Sequence, residues 1–215
     1  MSLNVMRLLS LACFVFACLF LTSCGEPVHY TVRAQDVAAI AGESEQKVPL
    51  RAGFYMGKSF EMLPVSYGLW TTNMGSTDVE GRPYFEGAVR RMFQEVVPVS
   101  ATDTIADFQK KNLDVIVTVG SIRCTLELLR GAMSPLESDW GLEVKAKLAA
   151  EWSVTSIDGK QLTFTNVLSE EKARKRMDNS GQRDALLKAL DAHYRKAYAD
   201  IVLTGWWKDP SLKSR

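Results

Sequence analysis

One stretch constrains the fold more than any other, Leu142 to Val154. Leu142, Val144, Ala146, Leu148, Ala150, Trp152 and Val154 alternate with Glu143, Lys145, Lys147, Ala149, Glu151 and Ser153. Successive side chains of a strand point to opposite faces, so this pattern describes a strand with one face on a core and the other in water. Asp158-Gly159 then turns the chain into a second run, Gln161–Val167. A two-residue Asp-Gly loop would pair Thr155 with Leu162 and Ser153 with Phe164, sending Leu162 and Phe164 into water. A three-residue loop, Ile157-Asp158-Gly159, pairs Val154 with Leu162 and Trp152 with Phe164 and puts all four on the core face. A one-residue slip turns over every side chain, so the three-residue loop is expected, with Gly159 left-handed.

The remaining elements fall around this hairpin. Val48–Gly57 reads as a first strand whose alternation breaks at Gly53, and Leu63-Pro64-Val65 as an edge strand, because proline removes a ladder donor. Pro83 opens a helix with Phe85, Ala88, Val89, Met92, Phe93 and Val96 as its apolar stripe. Val97–Ser100 is a short strand and Asp103–Lys111 a short helix. Asp114–Val119 is a β-branched strand, and the alternation restarts after Gly120 at Ile122, Cys124, Leu126 and Leu128. A final helix runs from about Arg183 to Leu203, with Ser180 as a possible N-cap and Gly205 as a C-terminal cap. This order predicts an α+β two-layer sandwich: a mainly antiparallel sheet, an amphipathic helix after the first strand region, and a long C-terminal helix.

The first residues carry an address. Arg7 precedes an unbroken apolar and small-residue run, Leu8–Leu21, then Thr22-Ser23-Cys24-Gly25. A basic start, a short apolar run and a small-residue exit read as a secretory signal, since a spanning helix needs about 20 apolar residues. Leu21-Thr22-Ser23-Cys24 resembles the lipobox of bacterial lipoproteins. The resemblance implies cleavage before Cys24, a diacylglycerol on its thiol and an acylated amine, palmitate being the typical chain. Gly25 stands where an aspartate would retain such a protein in the inner membrane, so the periplasmic side of the outer membrane is the implied destination.

Cleavage before Cys24 removes 23 of the 215 residues and leaves 192, with 25 basic and 25 acidic side chains, since Arg7 is the one charge lost. That is one domain's length, and its balanced charge makes no field to gather nucleic acid. Residues 24–47 read as the lipidated cysteine and a tether of roughly 25 Å mean span, 48–207 as the single domain, and 208–215 as a tail. The layout over roughly 48–204, and the run Pro83–Val119, are similar to small envelope lipoproteins. Two families resemble it at the level of this pattern: the YajG-like lipoproteins and the lipoprotein partner of the lipopolysaccharide translocon.

Chemistry is harder to find. Cys124 is the cysteine left after processing, and it sits in a strand pattern as a small buried hydrophobe. Only His29, in the tether, and His193, flanking the last helix, could serve a serine triad. Zinc would need three or four clustered ligands, and no phosphate-cradling glycine motif occurs. No cofactor, metal site or catalytic residue is expected. The expected role is a non-catalytic binding or assembly accessory of the envelope, with a membrane bound through the lipid and an envelope protein or glycolipid as partner. The alternatives are a subunit of a larger secretion or transport complex and a lipid-anchored hydrolase.

Candidate partner contacts are Trp70 and Met74, in an apolar loop that reads first as a lid on the core, and Trp206 and Trp207, which read first as a patch sealing the domain edge and otherwise as a partner or membrane-interface contact. The charge run Ser169–Ser180 reads as a solvated helix or loop, or as a contact for anionic lipid or polysaccharide.

Overall fold

The computed structural model describes residues 30–33, 46–67, 77–129, 142–175 and 180–209. Eight strands, β1 (Tyr30–Val32), β2 (Val48–Met56), β3 (Met62–Tyr67), β4 (Thr77–Glu80), β5 (Phe93–Pro98), β6 (Val115–Leu129), β7 (Leu142–Ser156) and β8 (Gln161–Lys175), form one sheet. Among the described residues three α-helices accompany it: α1 (Gly81–Met92), α2 (Ile105–Lys110) and α3 (Ser180–Tyr198). A π-turn at Ala199–Leu203 continues α3.

Strand β6 is the axis. Along one edge it pairs antiparallel with β7 from Val115 to Leu129. Its other edge is shared by two strands end to end. The first half takes β2 in parallel (Ala52 opposite Val115) and the second half takes β3 in parallel (Val65 opposite Cys124). Strand β5 joins β2 in parallel, β4 joins β3 antiparallel, and β1 joins β4 in parallel.

This corrects the expected architecture. In place of a two-layer sandwich with a mainly antiparallel sheet, the chain forms a mixed α+β fold in which four of seven strand pairings are parallel. The sheet also curls, because α3 packs on β7 and β8 at one side of the strand order and still touches β1 at the other. Strand β3 is flanked by β4 and β6 rather than lying at an edge. Its Pro64 sits where the pairing passes from β4 to β6, so the missing N–H falls at a junction.

The core lies on the face covered by α1 and α3. Val144, Ala146, Leu148, Ala150, Trp152 and Val154 of β7 are all buried there, as the alternation predicts. Strand β6 keeps its apolar side on the same face in spite of a change of parity, from Val115, Val117 and Val119 to Ile122, Cys124 and Leu126. Between Gly120 and Arg123 it advances three residues while β7 advances two, which makes a β-bulge, with Ser121 left-handed at φ 52°. The restart after Gly120 is that bulge.

The helices close the core through aromatic contacts. Phe85 of α1 meets Trp152 edge to face at 5.4 Å, and the Tyr84 hydroxyl donates to the Leu190 carbonyl of α3 at 2.7 Å. Helix α1 ends at Met92, so Phe93 and Val96 enter the core from β5 instead of prolonging the helical stripe. Gly81, at the head of α1, has no room for a side chain: a Cβ there would stand 2.4 Å from the Phe60 carbonyl oxygen. Gly81→Ala is therefore expected to destabilise the domain by about 1–3 kcal/mol in urea titrations, since backbone has to move.

A second, smaller cluster sits on the opposite face at the β2/β5/β6 end. Leu113, Ile116 and Ile157 pack there with Val97, Val99 and Phe108 of α2. Helix α2 is short but carries a full capping box between Thr104 and Asp107.

Three expectations about segments change. Tyr30–Val32, inside the stretch read as tether, belongs to the sheet as β1, and Val32 is fully buried. The charge run is not a helix or free loop through Lys175, because β8 carries it as strand paired with Leu142–Leu148. The hairpin has the predicted three-residue loop, closed by the Ser156 N–H donating to the Lys160 carbonyl, with Gly159 at φ 88°. Its register is nevertheless the other one. A bulge at Leu162 moves Thr163 opposite Val154, Phe164 opposite Ser153 and Thr165 opposite Trp152. Phe164 thus faces away from the core and is 49% exposed.

Candidate functional site

The sheet has one face under helices. On its other face α2 and its cluster cover one end, and no described helix packs on the rest. Cross-strand pairing orders the residues of this open face. Tyr55, Thr118, Ser153 and Phe164 share a row; Gly120, Glu151 and Asn166 form the next; Arg123, Ala149 and Leu168 the one after. Leu168 is 50% exposed. Phe164 and Leu168 therefore stand four residues apart on β8, with Asn166 between them and Ser153, Glu151 and Ala149 on the neighbouring strand.

Beyond Leu168 the face changes character. The Lys147 ammonium donates to Glu127 at 2.7 Å and lies 3.8 Å from Glu170, Lys145 also pairs Glu170, and Lys172 pairs Glu143 at 3.3 Å. Three cations and three carboxylates neutralise one another across β6, β7 and β8. The hydrogen bond to Glu127 holds the Lys147 pKa above its usual value, and the bond from Lys145 holds Glu170 below its own. Exposed pairs of this kind add little stability, but they leave less unpaired charge for a ligand. The site is thus a mixed strip, apolar at Phe164 and Leu168 with Glu151, Asn166 and Arg123 beside them, bordered by a self-paired charged ladder.

The residues singled out for chemistry lie elsewhere. His193 is not a helix-flank residue in the structure but a fully buried one. Its Nε2 accepts the Trp152 indole N–H at 3.1 Å, and its ring lies edge to face with Phe85 at 6.0 Å. Burial drives its pKa down to about 4; the Leu148 carbonyl pulls the other way and Lys196 adds to the lowering. The contact to Leu148 falls short of a hydrogen bond, so Nδ1 has no partner. Cys124 is buried, and desolvation pushes its thiol up to about 12, which keeps it protonated at neutral pH. Ser169 is buried too, its hydroxyl donating to the Ala189 carbonyl at 2.7 Å.

Trp207 is buried and Trp206 half-buried, and their indole N–H groups donate to Val202 at 3.1 Å and Ile201 at 2.7 Å. Both close the end of the π-turn against the core, which is the sealing arrangement weighed above. Cys24, Trp70, Met74 and His29 lie outside the described residues. No group of three or more His, Cys, Asp or Glu that could hold a metal occurs among the described residues, and no described helix is long and apolar enough to cross a membrane.

A polar cleft of about 460 Å³ opens between β2 and β5, lined by Pro49, Leu50, Arg51, Gln94, Glu95 and Asp114. Its charges serve the fold: Arg51 pairs Glu95 at 3.3 Å, and the Asp114 carboxylate accepts the Arg51 backbone N–H at 2.7 Å. Sequence reasoning missed both the cleft and the Phe164–Leu168 strip. The strip had a signal, two large apolar residues four apart in β8, but its register was read the other way.

Fold and site define a mixed α+β domain with a curled sheet and a long C-terminal helix. No family model and no curated protein matches the sequence. Among solved structures, the chain is similar to a minor lipoprotein from Acinetobacter baumannii, at 9% identity over 74% of this chain and 95% of that one, with a TM-score of 0.39. It is also similar to a putative neuraminyllactose-binding hemagglutinin homolog from Helicobacter pylori, at 6% identity over 79% and 98%, TM-score 0.39. A PelC dodecamer from Paraburkholderia phytofirmans follows at 9% identity over 72% and 94%, TM-score 0.29. Likenesses this loose carry no argument about function.

Proposed function

We propose that the protein is a non-catalytic accessory of the cell envelope. A lipid on Cys24 holds it on the periplasmic side of the outer membrane, and the uncovered sheet face receives an envelope protein. The observation that carries this reading is the strip from Phe164 to Leu168, two large apolar side chains half exposed on the open face with no cover among the described residues. Two further points support it. Cys124 and His193, the groups best suited to nucleophilic or acid–base work, are committed to packing in the core. The lipobox-like Leu21–Cys24 supplies the anchor, and two or more acyl chains give stable attachment.

The two halves of the reading have separate tests. Cys24→Ala is expected to abolish metabolic palmitate labelling and to release the domain into the soluble fraction; a mutant that stays with the membrane would overturn the anchor. A photo-crosslinking residue at Phe164 is expected to capture an envelope protein in intact cells, while one at Gln109 on α2 does not. Leu168→Glu should abolish that capture and leave stability within about 0.5 kcal/mol, because the side chain already stands in solvent. Equal capture from both positions, or capture indifferent to Leu168→Glu, would remove the sheet face from the proposal.

A further inference from the structure

Strand β8 ends the strand order, with β7 along one edge and no described strand along the other. A row of main-chain N–H and C=O groups is therefore turned outward, and the side-chain contacts show which ones. The Ser66 hydroxyl donates to the Cys124 carbonyl at 3.2 Å, so Cys124 turns its main chain towards β3. Leu148, directly opposite Cys124, then turns its own towards β8, where the Ser169 hydroxyl reaches the Leu148 carbonyl at 3.4 Å. Ser169 thus spends its main-chain groups on β7, and those of its neighbour Leu168 point outward. Lys196 of α3 reaches the Leu168 carbonyl at 3.5 Å, the limit of a hydrogen bond. No register shift falls between Thr163 and Lys175, so Asn166 and Phe164 turn outward like Leu168.

Exposed edges are commonly guarded by charge, proline or a bulge. Thr163-Phe164-Thr165-Asn166-Val167-Leu168-Ser169 contains none of them: the bulge at Leu162 comes just before it and Glu170 just after. The same seven residues read alike in both directions. They run hydroxyl, large apolar, β-branched, Asn, β-branched, large apolar, hydroxyl. Two antiparallel copies centred on Asn166 place each Phe164 opposite a Leu168, each Thr165 opposite a Val167 and each Thr163 opposite a Ser169. Directly opposed residues share a face, so apolar side chains meet apolar ones and no charge enters the ladder. A centre at Leu168 would instead set Phe164 against Lys172 and Asn166 against Glu170. A two-fold contact requires a surface that matches itself, and the register about Asn166 supplies one.

We propose that a second copy of this chain pairs with β8 as an antiparallel strand, Asn166 against Asn166 on the two-fold axis, so that the two sheets become one. The main-chain groups of Phe164, Asn166 and Leu168 then find partners, and the Phe164 N–H of the second copy takes the place of Lys196 at the Leu168 carbonyl. The axis stands perpendicular to the sheet, so both open faces lie on one side. The two Phe164–Leu168 strips join there into a patch of four apolar side chains. The pairing depends neither on the lipid at Cys24 nor on the partner proposed for the open face.

The test uses the full chain, expressed with its leader in intact cells. Asn166→Cys places two thiols on the axis, with Cα atoms about 5.5 Å apart, within the range of a disulfide. Lys172→Cys, exposed on the same strand and face, stands about 40 Å from its own symmetry mate, twelve residues of strand away. Mild oxidation with copper–phenanthroline is expected to link Asn166→Cys into a dimer on non-reducing gels and to leave Lys172→Cys and the parent monomeric. Cys124 does not compete, being buried with its thiol protonated. Asn166→Pro removes an N–H that lies outside the β7 ladder, so it should keep the fold and block the pairing. Sedimentation equilibrium in density-matched detergent is expected to give a dimer mass for the parent and a monomer mass for Asn166→Pro with an unchanged circular dichroism spectrum. If proline perturbs the strand, Asn166→Lys sets like charges face to face on the axis and should give the same monomer. A monomeric parent, equal linking from positions 166 and 172, or a disulfide from position 166 to a different protein would each overturn the proposal.

Discussion

Truncating Trp152 to alanine is expected to destabilise the domain by about 3–5 kcal/mol, the range for emptying a large aromatic site in a packed core. The residue is fully buried where β7, α1 and α3 meet, with Phe85 against its ring and His193 at its indole nitrogen. The loss has two parts that a second variant separates. Trp152→Phe keeps much of the ring volume but removes the N–H that His193 accepts, so a buried acceptor is stranded. That alone is expected to cost about 1–3 kcal/mol. Urea titrations of both proteins at pH 7 check the pair. A Trp152→Ala midpoint equal to that of the parent would mean that this ring does not hold the two helices to the sheet.

The same contact makes the fold acid-sensitive in a defined window. His193 is neutral in the folded state, its pKa brought down to about 4 chiefly by burial, against about 6.5 in an unfolded chain. Protonation puts a hydrogen on Nε2, the atom that accepts from Trp152, so the charged form loses both solvent and its partner. The unfolded chain therefore binds the proton first. The stabilisation is complete above about pH 6.5 and is lost as pH falls from there towards 4, by about 3 kcal/mol at the lower limit. The carboxylates whose pKa is depressed, Asp103, Asp107 and Glu170, contribute stability that disappears only on going down through the ordinary carboxylate range. A drop in the urea midpoint between pH 6.5 and 4.5 thus isolates the histidine. His193→Phe should flatten the profile over that interval, and an unchanged slope in the variant would assign the sensitivity to another group.

How far the sequence could be read depended on whether the determinants were local. The alternation of β7 was legible because each buried position, Val144 to Val154, is decided by the pleat alone. The Ile157-Asp158-Gly159 loop was legible for the same reason: a left-handed glycine answers to turn geometry. The register beyond it was not. The bulge at Leu162 has no compositional mark, and what it secures is distant in the chain. It turns Thr165 inward, where the hydroxyl donates to the Asp200 carboxylate of the π segment after α3 at 2.7 Å. Val167 and Ser169 turn inward with it, the Ser169 hydroxyl donating to the Ala189 carbonyl of α3, and Phe164 and Leu168 are left on the open face. The binding strip proposed here exists because of that exchange.

The amino-acid order by itself determined the long amphipathic strands, the helix stripes, the hairpin loop and the lipobox-like leader, all of which follow from residues within one or two turns or pleats of each other. Tertiary structure alone decided that β2, β3 and β5 run parallel, because parallel partners are joined by crossovers and no local pattern names the neighbour. It decided also that Tyr30–Val32 joins the sheet, since three residues make a strand only when β4 offers its edge. His193 became a buried acceptor only when α3 docked over Trp152. In each case the deciding contact joins segments far apart in the chain, and its free energy appears only after the chain has closed the loop between them.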